Sequence, residues 1–205
     1  MMLATFTIGS AALYTFLFLS KARDDAALTS NWFDMFERCR AAIETREPLQ
    51  MFGLVAGGEI DPLRNAAATQ TKMWTPLTGG RFAILEREDP GQGGAFRTCE
   101  VVPADWRVPL SRIEMERLTF IFLEQRNALI AKGTHEPRDP VVLPGIISAG
   151  FGPLANNPAG CRVVATIFAD PKEHKLTSMV AEQPGSCSGA SSLMTGTGVA
   201  ASVAK

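Results

Sequence analysis

Few side chains in this chain have types suited to chemistry. The 205 residues include four cysteines, Cys39, Cys99, Cys161 and Cys187, and two histidines, His135 and His174. None of the cysteines forms the close C-x-x-C pair used by zinc sites and thioredoxin-like redox centres. An even number of widely spaced cysteines points instead to disulfides, which persist in exported proteins and are rare in reducing compartments. Four cysteines allow three pairings. The expected one joins Cys39 to Cys99 and Cys161 to Cys187, because it keeps each bridge within one half of the chain.

The run Gly185-Ser186-Cys187-Ser188-Gly189 has the G-x-C-x-G form of a nucleophile elbow. Such an elbow needs a strand before it, a helix after it and a histidine downstream to take the thiol proton. A strand pattern precedes it, but no helix pattern follows, and both histidines lie upstream. A structural disulfide is the expected role of Cys187. His135 with Glu136 and Asp139 forms a candidate metal or acid/base cluster in a proline-rich loop, yet it offers one imidazole where zinc wants three or four ligands. His174, among Lys172, Glu173 and Lys175, reads as a solvated turn.

Gly57-Gly58, Gly79-Gly80 and Gly93-Gly94 lack the spacing of phosphate-cradling loops and read as turns. Arg38, Arg40 and Arg46 alternate with Glu37, Glu44 and Glu47, as on a solvated helix face rather than a nucleic-acid patch. Trp32, Trp74 and Trp106 are candidates for a ligand groove, but packing is the ordinary use of a tryptophan beside a predicted element. No catalytic, cofactor-binding or metal-ligating residue is therefore assigned, and no cofactor is expected.

The elements that would position these residues begin with an apolar segment. No charged side chain occurs from Met1 to Leu19. As a helix, that length rises about 28 Å, close to the thickness of a bilayer core and long for a signal-peptide apolar region. Ser20-Lys21-Ala22 resembles a small-x-small cleavage site, which would leave Arg23 as the mature N-terminus. Lys21 and Arg23 sit on the far side of the segment, the arrangement of an anchor whose following residues face the cytoplasm. Residues 1–22 are thus expected to be a signal peptide, with a membrane anchor as the alternative. A net charge of −1 from 20 basic and 21 acidic residues supplies no field to gather nucleic acid.

Trp32, Phe36, Cys39 and Ile43, with Phe33 beside them, make the apolar stripe of an amphipathic helix. Ser30 or Asn31 is its expected cap, and Pro48 its latest end. Residues 49–80 carry turn signals, with a short alanine-rich helix expected from Leu63 to Met73. Arg81–Glu88 and Ala95–Val102 alternate as a hairpin around a glycine-rich loop. Ser111 and Glu114 form a capping box, Leu110 and Met115 a hydrophobic staple, and Lys132-Gly133 a stop, which defines a helix from Arg112 to about Ala131. Its apolar middle, Leu118–Leu123, predicts burial on two sides. Residues 133–160 suggest short strands, and Cys161–Ala169 with Lys175–Glu182 makes a second hairpin.

The expected fold class is α+β, with a small antiparallel sheet of two hairpins, four strands in all, packed against two main helices. Residues 23–183 would form one domain, a candidate degenerate duplication of 31–103 and 111–183, and 184–205 a flexible small-residue tail. The functional expectation is an exported, disulfide-stabilised envelope or secreted protein, periplasmic or released, that acts as a non-enzymatic binding module for a macromolecular partner. The alternatives are an exported hydrolase and an inner-membrane protein held by one N-terminal anchor.

Overall fold

A computed structural model describes residues 26–58, 70–89, 96–140, 146–170, 172, 174–183 and 185–187. The apolar segment 1–22, most of the expected alanine-rich helix, the glycine-rich loop at 90–95 and the tail beyond 187 lie outside the described residues. No helix among the described residues is long and apolar enough to cross a membrane.

The protein is α+β, and its described residues form two helices on one face of an eight-stranded antiparallel sheet. Helix α1 spans residues 26–45. Strands β1 (Leu54–Ala56), β2 (Gln70–Pro76), β3 (Phe82–Asp89) and β4 (Phe96–Pro103) follow it. Helix α2 (Arg112–Ala131) then leads into β5 (His135–Pro137), β6 (Ile147–Pro153), β7 (Val163–Asp170) and β8 (Lys175–Glu182). The spatial order is β1-β2-β3-β4-β8-β7-β6-β5. The two expected hairpins are present and meet at the centre, where β4 pairs with β8 through Thr98↔Ala181 and Cys99↔Val180.

The sheet is twice as wide as the four strands expected, because β1, β2, β5 and β6 extend both sides. β1 and β5 are three residues each, β2 falls where the sequence carries turn signals and an alanine-rich helix pattern, and β5 and β6 lie in the stretch 133–160, which suggests short strands without placing them in this sheet. Residues 70–73, assigned to an alanine-rich helix, belong to β2, where Met73 pairs with Leu85 and Trp74 with Ile84. Neighbouring strands override a weak helix propensity here.

In α1, Trp32, Phe36, Cys39 and Ile43 are buried as the stripe requires, joined by Met35 and Ala42. Ser30 and Asn31 are not caps, since the helix already runs through residue 26. Asn31 instead accepts a hydrogen bond from the Phe82 amide at 3.2 Å, tying the helix to β3. The helix ends at Thr45, before Arg46 adopts a left-handed φ of 59°.

The ends of α2 follow the sequence closely. Ser111 Oγ accepts from the Glu114 amide at 3.2 Å, and Glu114 accepts from the Ser111 amide at 2.6 Å. Leu110 and Met115 are both buried. At the other end Gly133 takes a φ of 70°, and its amide reaches the Ile130 carbonyl. The expected two-sided burial does not occur. Met115, Leu118, Thr119 and Phe122 face inward, whereas Phe120 is 61% exposed and Ile113 55%.

Between helices and sheet, Trp32, Phe36, Phe122 and Phe151 form an aromatic chain, with Phe36 and Phe122 in edge contact at 5.4 Å. Phe82, Ile84, Val163, Ala165, Ile167 and Val180 supply the sheet side of this core. Ala83, Leu85, Met73 and Val102 point the opposite way and form a second, smaller cluster. Alternation along β3 thus places apolar side chains on both faces.

Two disulfides close the fold, with the expected pairing. Cys39 on α1 bridges to Cys99 in mid-β4 across 60 residues, and Cys161 bridges to Cys187 across 26. Disulfides on this pattern favour an oxidising, exported location.

Candidate functional site

The candidate elbow at Cys187 is closed chemically, since its sulfur is bonded to Cys161. Ser186 beside it donates to the Gln183 carbonyl at 2.7 Å and accepts from the Arg162 amide at 2.9 Å. The cluster of His135, Glu136 and Asp139 does not converge. His135 turns to α1, where its Nε2 lies 3.1 Å from Glu44 Oε1. Glu136 pairs with Arg138 at 3.0 Å, and Asp139 accepts from Arg126 at 2.9 Å. Glu44 is the partner that sequence reasoning missed, because it lies 91 residues away.

The alternating charges of α1 are also more than a solvated face. Arg40 holds Glu37 at 2.6 Å and Glu44 at 2.8 Å with its side chain only 17% exposed. The hydrogen bonds that Arg40 donates to Glu37 raise the Arg40 pKa, with the nearby Glu44 charge adding to them against the cost of burial. Gln125 of α2 donates to the same Glu37. This network clamps the two helices to each other and to β5.

A second buried acid, Glu182, is fully enclosed at the end of β8. It accepts from Asn157 Nδ2 at 2.8 Å and from the Arg97 amide at 3.0 Å, and pairs with Arg46 at 3.3 Å. Cys161, Glu182 and Cys187 form the one grouping of metal-type side chains among the described residues, but both sulfurs are disulfide-bonded and offer no thiolate.

The three tryptophans occupy separate environments. Trp32 is buried and donates to Ser178 Oγ at 3.1 Å, and Trp74 donates to Glu86 at 2.7 Å. Trp106 is partly exposed beneath the Arg107 guanidinium, 4.9 Å from its ring centre. They line no common groove.

Among the described residues, a concave region lies on the sheet face opposite the helices. Strand register builds it from two neighbouring rows of side chains. One row runs Arg87, Thr98, Ala181, Val164, and the next runs Leu85, Glu100, Met179, Thr166, Gly150. Thr98 and Ala181 keep the centre of the first row small, and a cavity of about 810 Å³ stands over that row and over Met179 and Thr166 of the second. Phe96 and Phe168 line it together with the segment Arg138–Pro140. That segment is held by Asp139, which accepts from the Gly150 amide at 2.9 Å, and by Arg138, which donates to the Pro153 and Val163 carbonyls. The glycines explain the arrangement. A Cβ on Gly150 would collide with the Arg138 carbonyl, and one on Gly152 with the Val163 carbonyl and the Arg138 guanidinium.

These features define a disulfide-linked α+β protein with one sheet, a helical cover on one face and an apolar hollow on the other. No protein-family model matches the chain, nor does any curated protein or any solved structure.

Proposed function

We propose that this is an exported binding module, working in the periplasm or outside the cell and not an enzyme. The observation that carries the reading is how the chemically capable side chains are engaged. All four cysteines are in disulfides, His135 is paired with Glu44, and Glu182 is enclosed by Asn157, Arg97 and Arg46. Each of these groups serves the architecture, while the hollow on the sheet face opposite the described helices is lined mainly by apolar and small side chains. Such a surface suits recognition without turnover.

The export reading is supported by the disulfides and by the apolar residues 1–22, with cleavage after Ala22. The partner in this reading is a macromolecule of the cell envelope. The halves 31–103 and 111–183 are read as a degenerate duplication, supported by a helix followed by a four-stranded meander in each and by a strand order that mirrors about β4 and β8. N-terminal sequencing of the protein recovered from its producing cell tests the export claim. A start at Arg23 in the soluble envelope fraction is expected. An intact Met1 in the membrane fraction would replace the reading with a membrane-anchored protein, and free thiols at all four cysteines would remove it.

A further inference from the structure

Large apolar side chains collect in solvent at one end of the sheet. Strand register, through Leu54↔Pro76 and Phe82↔Pro103, brings the turn before β1, the β2–β3 turn and the β4–α2 connection to that end. Hydrogen bonds join them: the Leu77 amide donates to the Gly53 carbonyl, the Ala104 amide to the Arg81 carbonyl, and the Arg81 guanidinium to the Pro109 carbonyl. On these connections Phe52 is 91% exposed and Leu77 67%, with Trp106 and Val108 also exposed; Ile113, in the first turn of α2, is the fifth. The described connections at the opposite end expose Leu154. Single apolar side chains at a surface are ordinary, whereas a group of them at one place marks an interaction site.

The chain itself indicates what lies against this end. Helix α1 begins here, where Ala27 and Leu28 border one cavity with Gly79, Gly80, Arg81 and Glu114. The run Met1–Leu19, apolar and without a charge, joins α1 through residues 20–25. Six residues span at most about 20 Å. As leader or as anchor, that run belongs in a bilayer, so its own chain holds the exposed group close to lipid. The arginines around the group are matched: Arg81 lies 3.8 Å from Glu114, Arg107 3.9 Å from Asp105 and Arg112 2.7 Å from Glu116. Contact here is therefore driven by apolar surface rather than by an unmatched charge.

We propose that this end of the molecule is a membrane-docking surface. Phe52, Leu77, Trp106, Val108 and Ile113 enter the interfacial layer of a lipid bilayer, while the Arg107 and Arg112 guanidinium groups stay among the headgroups. This role goes beyond the binding-module reading and holds whether or not residues 1–22 are removed. A few side chains without a span give reversible attachment, so protein cleaved after Ala22 docks and still washes into the soluble envelope fraction.

The test uses the disulfide-intact protein recovered from its producing cell, whichever residue it starts at, with vesicles of phosphatidylcholine whose acyl chains do or do not carry bromine. Bromine quenches the emission of a tryptophan that reaches it. Trp106 is quenched, whereas in Trp106→Phe the emission of Trp32 and Trp74, which belong to the core between helices and sheet, is not. Phe52→Ser/Leu77→Ser changes two side chains that pack on little, so the fold survives. In protein that starts at Arg23, it raises the lipid concentration for half-maximal quenching about tenfold, the worth of burying one large apolar side chain. In protein that keeps Met1, it lowers the maximal quenching instead. Unquenched Trp106 overturns the docking surface, even where residues 1–22 carry the protein to the vesicles, and so does an unchanged quenching curve in the double variant. A requirement for phosphatidylglycerol overturns it in favour of charge attraction. A lipid-free dimer that the double variant dissociates overturns it in favour of a contact between copies. The N-terminal residue of the recovered protein decides the export claim separately, so the two readings fail independently.

Discussion

Trp32 Nε1 donates to Ser178 Oγ at 3.1 Å, with both residues wholly buried and 146 positions apart in the chain. One hydrogen bond thereby fixes the first helix over the last strand. The same helix is bonded covalently to the neighbouring strand through Cys39 and Cys99. A hydrogen bond and a disulfide thus hold α1 over the centre of the sheet.

Removing the two disulfides should have graded effects. In the chain-entropy treatment, the 60-residue loop closed by Cys39 and Cys99 contributes about 4 kcal/mol and the 26-residue loop closed by Cys161 and Cys187 about 3.5 kcal/mol, before native strain is subtracted. Urea unfolding of Cys39→Ala/Cys99→Ala should show the larger loss, increased by the cavity left at two buried sites. An equal or smaller loss than in Cys161→Ala/Cys187→Ala would contradict the placement of the first bridge in the core.

Neighbouring phenylalanines on α2 should respond in opposite ways. Phe122 is fully buried between Phe36 and Phe151, so Phe122→Ala should cost about 3–5 kcal/mol. Phe120 is largely exposed, and Phe120→Ser should stay within about 0.5 kcal/mol of the parent. Thermal melts of the pair decide it, and a large loss in Phe120→Ser would mean that this face of α2 is covered.

Glu182 tests the buried polar network. Truncation to alanine leaves the Asn157 amide and the Arg97 amide without their acceptor, which should cost about 2–3 kcal/mol. Arg46 is 38% exposed at its side chain and can return to water, so the loss stays below that of a fully buried pair. Glu182→Gln keeps one acceptor oxygen and should recover part of the loss in denaturant titrations. No difference between the two variants would show that the acceptor role is dispensable.

Gly150→Ala should separate wall from core. Its new methyl would meet the Arg138 carbonyl, displacing the Arg138–Pro140 segment that borders the hollow. The expected signature is faster amide exchange at Arg138 and Asp139, with the exchange rates of β4 and β8 unchanged. Uniform acceleration through the sheet would instead indicate global destabilisation.

What the sequence disclosed depended on how local each signal was. The capping box of Ser111 and Glu114 and the stop at Gly133 act within one helical turn, so residue types alone located both ends of α2. The β3 and β7–β8 patterns were readable because β-branched and apolar residues alternate there over eight positions. By contrast β1 and β5 are three residues each and exist through pairing with β2 and β6. Glycine interrupts the alternation of β6, so residues 133–160 suggest short strands without their bounds or their place in the sheet, although Gly150 and Gly152 are where the chain 138–140 must pass closest. His135 looked like a member of a local cluster because its partner Glu44 belongs to another element. The hollow had no sequence signature, since its rows draw single residues from several strands.

The strand order has a consequence for the timing of assembly. The inner edge of β4 meets β8, and Arg97 and Glu182, which bond across that seam, are separated by 85 residues. Until β8 has left the ribosome, the first half carries an open strand edge at β4. Loop closure over that distance is slow relative to local helix formation. A chain built this way stays unsealed while it is being made, the state in which a polypeptide can still be threaded through a narrow channel, and it locks only when its last strand arrives beside Cys99.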